Sequence, residues 1–172
     1  MNSSEARATW SLASLFGLRM LGLFMILPVF AIYGEQLAGS TPQLIGLAIG
    51  AYGLTQALLQ VPFGLLSDRI GRKPVIILGL IVFCVGSVVA AQSESIYGVI
   101  IGRALQGAGA IASAVMALLA DLTRDDQRAK AMALVGASIG LSFSLALIIG
   151  PVIAGIVHLQ GLFWVTALLA VG

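Results

Sequence analysis

Gly64-Leu65-Leu66-Ser67-Asp68-Arg69-Ile70-Gly71-Arg72-Lys73-Pro74 is a charge-dense turn set between two long apolar runs. Asp68, Arg69, Arg72 and Lys73 crowd into it, glycines flank it, and Pro74 opens the next helix. A soluble fold has little use for such an island. A membrane protein needs one wherever two spanning helices meet on the cytoplasmic side, because basic residues collect in short cytoplasmic loops.

The bulk chemistry agrees. Hydrophobic residues make up 59% of the chain and charged residues 9%, against about 45–50% and about 25% in soluble domains. Mean hydropathy is +1.07. That leaves too little polar surface to clothe a water-soluble fold, so the solvent is largely lipid. A net charge of +2, with no interleaving of aromatic and basic residues, gives nucleic acid nothing to bind. The single cysteine, Cys84, lies inside an apolar run and excludes an internal disulfide or a cysteine-based metal cluster. No metal or cofactor is expected.

Working outward from the turn, apolar runs of about 20 residues, the length that crosses about 30 Å of hydrocarbon, recur with short polar breaks. They predict an all-α integral membrane fold. Helix 1 is placed at 9–33, helix 2 at 43–66, helix 3 at 74–91, helix 4 at 95–120 and helix 5 at 129–157. A sixth starts at Leu162 and reaches Gly172, where about 11 residues give only about 16 Å of helix. The expectation is therefore a truncated sixth span in a fragment of a longer protein. Helix 1 is too long for a signal peptide and is interrupted by Arg19.

Basic residues set the orientation. Arg7 precedes helix 1, Arg69, Arg72 and Lys73 follow helix 2, and Arg124, Arg128 and Lys130 follow helix 4. The alternate breaks at 34–42, 92–94 and 158–161 hold no Lys or Arg. The N-terminus is expected on the cytoplasmic side.

Arg19 and Arg103 stand apart, each roughly 12–15 Å into its helix. A charge at the bilayer centre costs at least about 2.5–3.5 kcal/mol, so such residues face a cavity or a partner rather than lipid. The competing reading is a packing arginine that hydrogen-bonds backbone carbonyls. Helix 1 and helix 4 each open a group of three helices, so the pairing is what an inverted 3+3 repeat produces. Gln106, three residues after Arg103, shares its helix face. Gln56 and Gln60 are also polar at membrane depth, either lining a pathway or bridging to neighbouring helices. Gly46 with Gly50, and Gly136 with Gly140, repeat a small-xxx-small spacing whose ordinary use is helix packing.

Other patterns carry no chemistry. Gly136-Ala137-Ser138-Ile139-Gly140 imitates a nucleophile elbow but lies within an apolar helix, with the sole histidine, His158, at the far membrane face. Gly107-Ala108-Gly109 imitates a dinucleotide loop without a preceding strand. No Walker lysine motif, His-Glu-x-x-His pair or buried carboxylate pair occurs, so no enzyme is expected.

The opening turn resembles the loop 2–3 motif of the major facilitator superfamily, Gly-x-Leu-x-Asp-Arg-x-Gly-Arg-Lys, at Gly64, Leu66, Asp68, Arg69, Gly71, Arg72 and Lys73. Arg103-x-x-Gln106-Gly107-x-Gly109 resembles the helix 4 motif of that family's drug/proton antiporter branch. Gly150, Pro151 and Gly155 match its helix 5 motif, while Ala137, Ala146 and Ala154 stand where glycines are usual. The resemblance implies the amino-terminal half of a twelve-helix bacterial inner-membrane transporter, in which two six-helix halves rock about a central site. It implies proton-coupled efflux of small amphipathic or drug-like compounds, with Arg19, Arg103, Gln106, Gln56 and Gln60 along the substrate or proton pathway.

It further implies that the turn latches the cytoplasmic side in the outward-facing state. Asp68 would face a helix terminus of the absent second half, and Arg72 would tie to Asp121, Asp125 or Asp126. The partners implied are the lipid bilayer, a small-molecule substrate, protons and that second half. Many such antiporters carry an acid within helix 1, where this chain has Arg19; Glu35 lies only at the helix end, so the proton carrier is not located. The alternative from another class is a transport-inactive six-helix membrane protein serving as an interaction or assembly subunit.

Overall fold

A computed structural model of the chain describes residues 1–171; Gly172, the last residue of the expected sixth span, lies outside the described residues. Among those described the fold is helical, without a strand. The helices are α1 Ser3–Tyr33, α2 Pro42–Ile70, α3 Arg72–Ala91, α4 Ile96–Ala108, α5 Ala112–Leu122 and α6 Asp125–Val171. A single 3-10 turn, Gly34–Gln36, follows α1. Five helical stretches are long and apolar enough to cross a membrane, with α4 and α5 together forming one of them.

The helix ends follow from local chemistry. Asn2 and Glu5 form a reciprocal capping box that starts α1, satisfying amide groups with no partner inside the helix. Thr41 caps α2 ahead of Pro42, and Ser95 caps α4. Between α2 and α3 a single residue makes the turn: Gly71 has φ 99°, a conformation that only glycine adopts without a Cβ clash.

One expectation needs correction. Helix 4 was expected to run unbroken over 95–120, but the structure divides it into α4 and α5 at Gly109, whose ψ of 51° is not helical. The cause is close packing: Gly109 lies against the Gly79 carbonyl and the Phe83 backbone of α3. Helices 5 and 6, expected as separate spans, are the two limbs of α6, Asp125–Val171, parted by a non-helical His158 at φ 57°. The chain reverses there. Gly150 packs beside Met25 while Thr166 packs beside Gly22, so the two limbs of α6 pass the same level of α1 in opposite directions.

Buried apolar side chains form two clusters. Leu12, Phe16, Phe83, Val115 and Val135 belong to one; Met25, Val29, Phe30, Ile96 and Phe163 belong to the other. At the end away from the Gly64–Pro74 turn, the Ala38 amide donates to the Glu94 carbonyl at 3.1 Å and the Ile96 amide to the Ala38 carbonyl at 3.1 Å. These bonds tie the α1–α2 connection to the start of α4.

Candidate functional site

The α2–α3 turn gathers charge around Arg72. Its guanidinium pairs with Asp68 one turn back and with Asp121 at the end of α5, the latter at 3.2 Å. It also donates to Ser67 Oγ at 2.7 Å, and the Ser67 hydroxyl donates to the Gly64 carbonyl at 2.7 Å. Ser67 is only 1% exposed, so the arginine is seated on a buried hydroxyl and reaches out to two carboxylates. Gly64 lets α2 approach Ser113 of α5; a Cβ there would sit 3.2 Å from its hydroxyl. Arg69 and Lys73 are exposed and form no ion pair among the described residues.

Only Asp121 of the expected acids meets Arg72. Asp125 pairs with Arg128 at 2.7 Å and Asp126 lies 4.0 Å from Arg124. The reason is the helix break at Thr123–Arg124: Asp121 lies in the last turn of α5, whereas Asp125 and Asp126 open α6, where acids suit the positive end of the helix dipole.

A second tie at the same end was not foreseen. Glu5, 5% exposed, accepts from Arg124 Nε at 2.9 Å and from the Arg124 amide at 3.2 Å. The bonded carboxylate raises the Arg124 guanidinium further above its ordinary value. Asn2-x-x-Glu5 was the available signal, since an N-cap followed three residues later by Glu marks a helix start. Its contact with Arg124, far along the chain, had none.

Arg19 and Arg103 are enclosed within the helix bundle, at 1% and 2% exposure, rather than facing an open cavity. Arg19 donates to the Gly109 carbonyl at 2.7 Å and lies over the Phe83 ring at 4.8 Å. Arg103 donates to Gln106 Oε1 at 2.8 Å and to the Ala48 carbonyl at 3.4 Å, and lies over the Tyr52 ring at 4.8 Å. Gln106 passes the chain on to Ser87 Oγ at 2.8 Å. Each charge is thus held by an aromatic face and carbonyl oxygens, with no carboxylate partner among the described residues.

The glutamines of α2 divide. Gln56 Oε1 is buried without a hydrogen-bond partner; Gln60 is half-buried, and its backbone carbonyl receives the Ser113 hydroxyl at 3.0 Å. In α6, Gly150 admits the Met25 carbonyl, with a Cβ position only 2.9 Å from it. Pro151 follows inside the helix, and Gly155 faces open space. Sequence reasoning missed Tyr52, Phe83 and Ser87, because nothing local distinguishes them from core residues.

Comparison with known proteins places the chain. A family model described as Major Facilitator Superfamily matches residues 12–172. The inner membrane transport protein YajR of Escherichia coli (strain K12) is 61% identical over 170 residues, covering 99% of this chain and 37% of that protein. The quinolone resistance protein NorA of Staphylococcus aureus is 31% identical over 150 residues, covering 86% of this chain and 38% of that protein. The crystal structure of the human organic anion transporter MFSD10 (TETRAN) superposes with a TM-score of 0.83 at 22% identity, covering 99% of this chain and 46% of that one. The chain spans less than half the length of each of these relatives. Their names favour a transporter over an assembly subunit.

Proposed function

Because the chain belongs to the major facilitator superfamily, we propose that it is the amino-terminal half of a secondary transporter that works by alternating access and exports small amphipathic compounds in exchange for protons. That it is a multi-pass membrane protein of a transporter family rests on its helices and relatives. The alternating motion, the proton, the direction and the substrate belong to the proposal. So do its seat in a bacterial inner membrane and a cytoplasmic N-terminus, which the basic character of one end supports.

The observation that carries the reading is Arg72, bonded at once to Asp68 and Asp121. One side chain thereby joins the α2–α3 turn to the end of α5 and couples the helices on both sides of it. A rocking half requires that coupling. Asp68 remains 56% exposed, which leaves it free to meet a helix N-terminus of a second half, where a carboxylate is favoured.

Efflux draws its support from the NorA relationship alone. The acids of the segment sit at helix ends and connections (Glu5, Glu35, Asp68, Glu94, Asp121, Asp125 and Asp126), so the proton-carrying carboxylate is assigned to the second half. In this reading Arg103, Gln106 and Arg19 serve the pathway by shaping the helices that line it, and Gln56 and Gln60 are assigned to its lining on α2.

The test uses everted vesicles bearing the complete protein, an imposed proton gradient and a fluorescent amphipath such as ethidium. Arg103→Ala should abolish gradient-driven uptake while expression is retained. Transport unchanged in that variant would remove Arg103 from the mechanism.

A further inference from the structure

We propose that residues 109–111 form a two-position hinge in helix four, and that Arg19 is the positioning residue that holds it in the broken position. At the break the Gly109 carbonyl receives no bond from one turn ahead, as a continuous helix would supply. It accepts from the Ile111 amide at 2.9 Å and from Arg19 Nη2 at 2.7 Å. The guanidinium therefore takes the place of a helical hydrogen bond, on a helix other than its own.

Arg19 is incompletely used in this position. Its Nε and Nη1 are buried without partners, as are Tyr52 Oη and Gln56 Oε1 on α2. The Tyr52 hydroxyl lies beside the Arg19 guanidinium without completing a hydrogen bond. Buried polar groups are ordinarily paired, and an orphan marks a stored cost or a second arrangement. Here an Arg19 donor and the Tyr52 hydroxyl are orphaned side by side. Turning Arg19 toward Tyr52 would pair them and release the Gly109 carbonyl to the Ser113 amide, joining α4 to α5. Each position completes bonds that the other leaves open, which is the requirement for a bistable element.

Gly109 meets α3 backbone to backbone at Gly79, with the Phe83 Cβ beside it and the Ile111 side chain packed over Gly79. Interrupted helices at membrane depth are tolerated where protein encloses them, and they commonly mark moving parts of transporters.

The hinge is tested in the complete protein by spin labels at Ile101→Cys and Leu122→Cys on a Cys84→Ser background. Both positions are exposed, at 58% and 43%. A continuous helix would separate their backbones by roughly 31 Å. The wild type should give a shorter distance, Arg19→Lys should retain it, and Arg19→Gln should shift it by several ångströms toward the continuous value. Superimposable distributions for wild type and Arg19→Gln would overturn the proposal.

Should Arg19→Gln fail to fold, amide exchange in the wild type decides. Residues 110–113 should exchange at least about tenfold faster than residues 99–106, and equal protection would overturn the hinge. Any effect on transport rests on the alternating-access reading. A shifted distance with unchanged transport would leave the hinge standing and count against that reading alone.

Discussion

At Gly107, α4 presses its backbone onto α2: a methyl group there would run into Thr55 and the Tyr52 carbonyl. Around Gly46 nothing lies within 4 Å. In the purified segment Gly107→Ala should therefore lower stability by about 1–3 kcal/mol, the usual cost of overpacking, while Gly46→Ala should stay within about 0.5 kcal/mol. Unfolding in a denaturing detergent reads both, and equal midpoints would contradict the packing. Ser87→Ala should also be costly, about 1–3 kcal/mol, because it strips the buried Gln106 amide of the hydroxyl that receives it. The exposed Ser144 supplies the control in the same measurement. In the sequence Gly46 carries the small-xxx-small spacing of a packing position, whereas Gly107 stands only in the false dinucleotide loop and the helix 4 motif. Spacing reports which positions are small, and only the neighbouring helix decides whether smallness is needed.

The charged turn behaves as an element whose parts act jointly. Asp68 and Asp121 are both more than half exposed, and exposed ion pairs contribute little to stability. Asp68→Asn and Asp121→Asn should accordingly leave unfolding almost unchanged. In the complete protein they should instead shift the population away from the outward-facing state, by a few-fold at most for either variant alone. Cysteine accessibility at the ends of α2 and α6 near the turn measures that shift, and an unaltered labelling pattern would count against the latch.

Glu5→Gln should loosen the start of α1, read as faster amide exchange over residues 3–8, because Arg124 loses the carboxylate it holds. The turn and its helices were legible in the sequence because charge and hydropathy are local. The Arg72–Asp121 tie was legible to within three candidates through the family resemblance, which implies an acid after helix 4 but not the register among them. The break at Gly109 was not legible. It depends on α3 coming close enough to touch the α4 backbone, and apolar periodicity carries no record of that distance.

Across the whole molecule, the exposed faces differ in kind. On α3 the exposed side chains are bulky: Ile77, Leu78, Ile81 and Val85. That is the surface lipid tails cover well. On α2 exposed Gly46, Gly50, Gly53 and Ala57 stand among exposed Leu47, Leu54, Leu58 and Val61, and on the first limb of α6 Gly136, Ala137, Gly140 and Ser144 stand among Leu141 and Ile148. The glycines of both faces have open space where a Cβ would stand. Lipid offers no reason to keep such notches, whereas helices in membranes approach closely through small residues. These faces are the natural seat for the second half of the proposed transporter, and the open surface of α2, of which only 17% of the apolar window is buried, accords with that.

If so, filling the notches should harm the complete protein and spare the segment. Gly50→Leu combined with Gly140→Leu should leave the helical content of residues 1–172 unchanged, yet reduce gradient-driven transport by the complete protein at least about tenfold, the loss expected when about 1.4 kcal/mol of favourable association is removed. Ile81→Leu, on the lipid-covered face of α3, should leave transport intact. Should the double variant transport normally, the glycine faces would have to meet lipid after all, and the two-half arrangement would need a different seam.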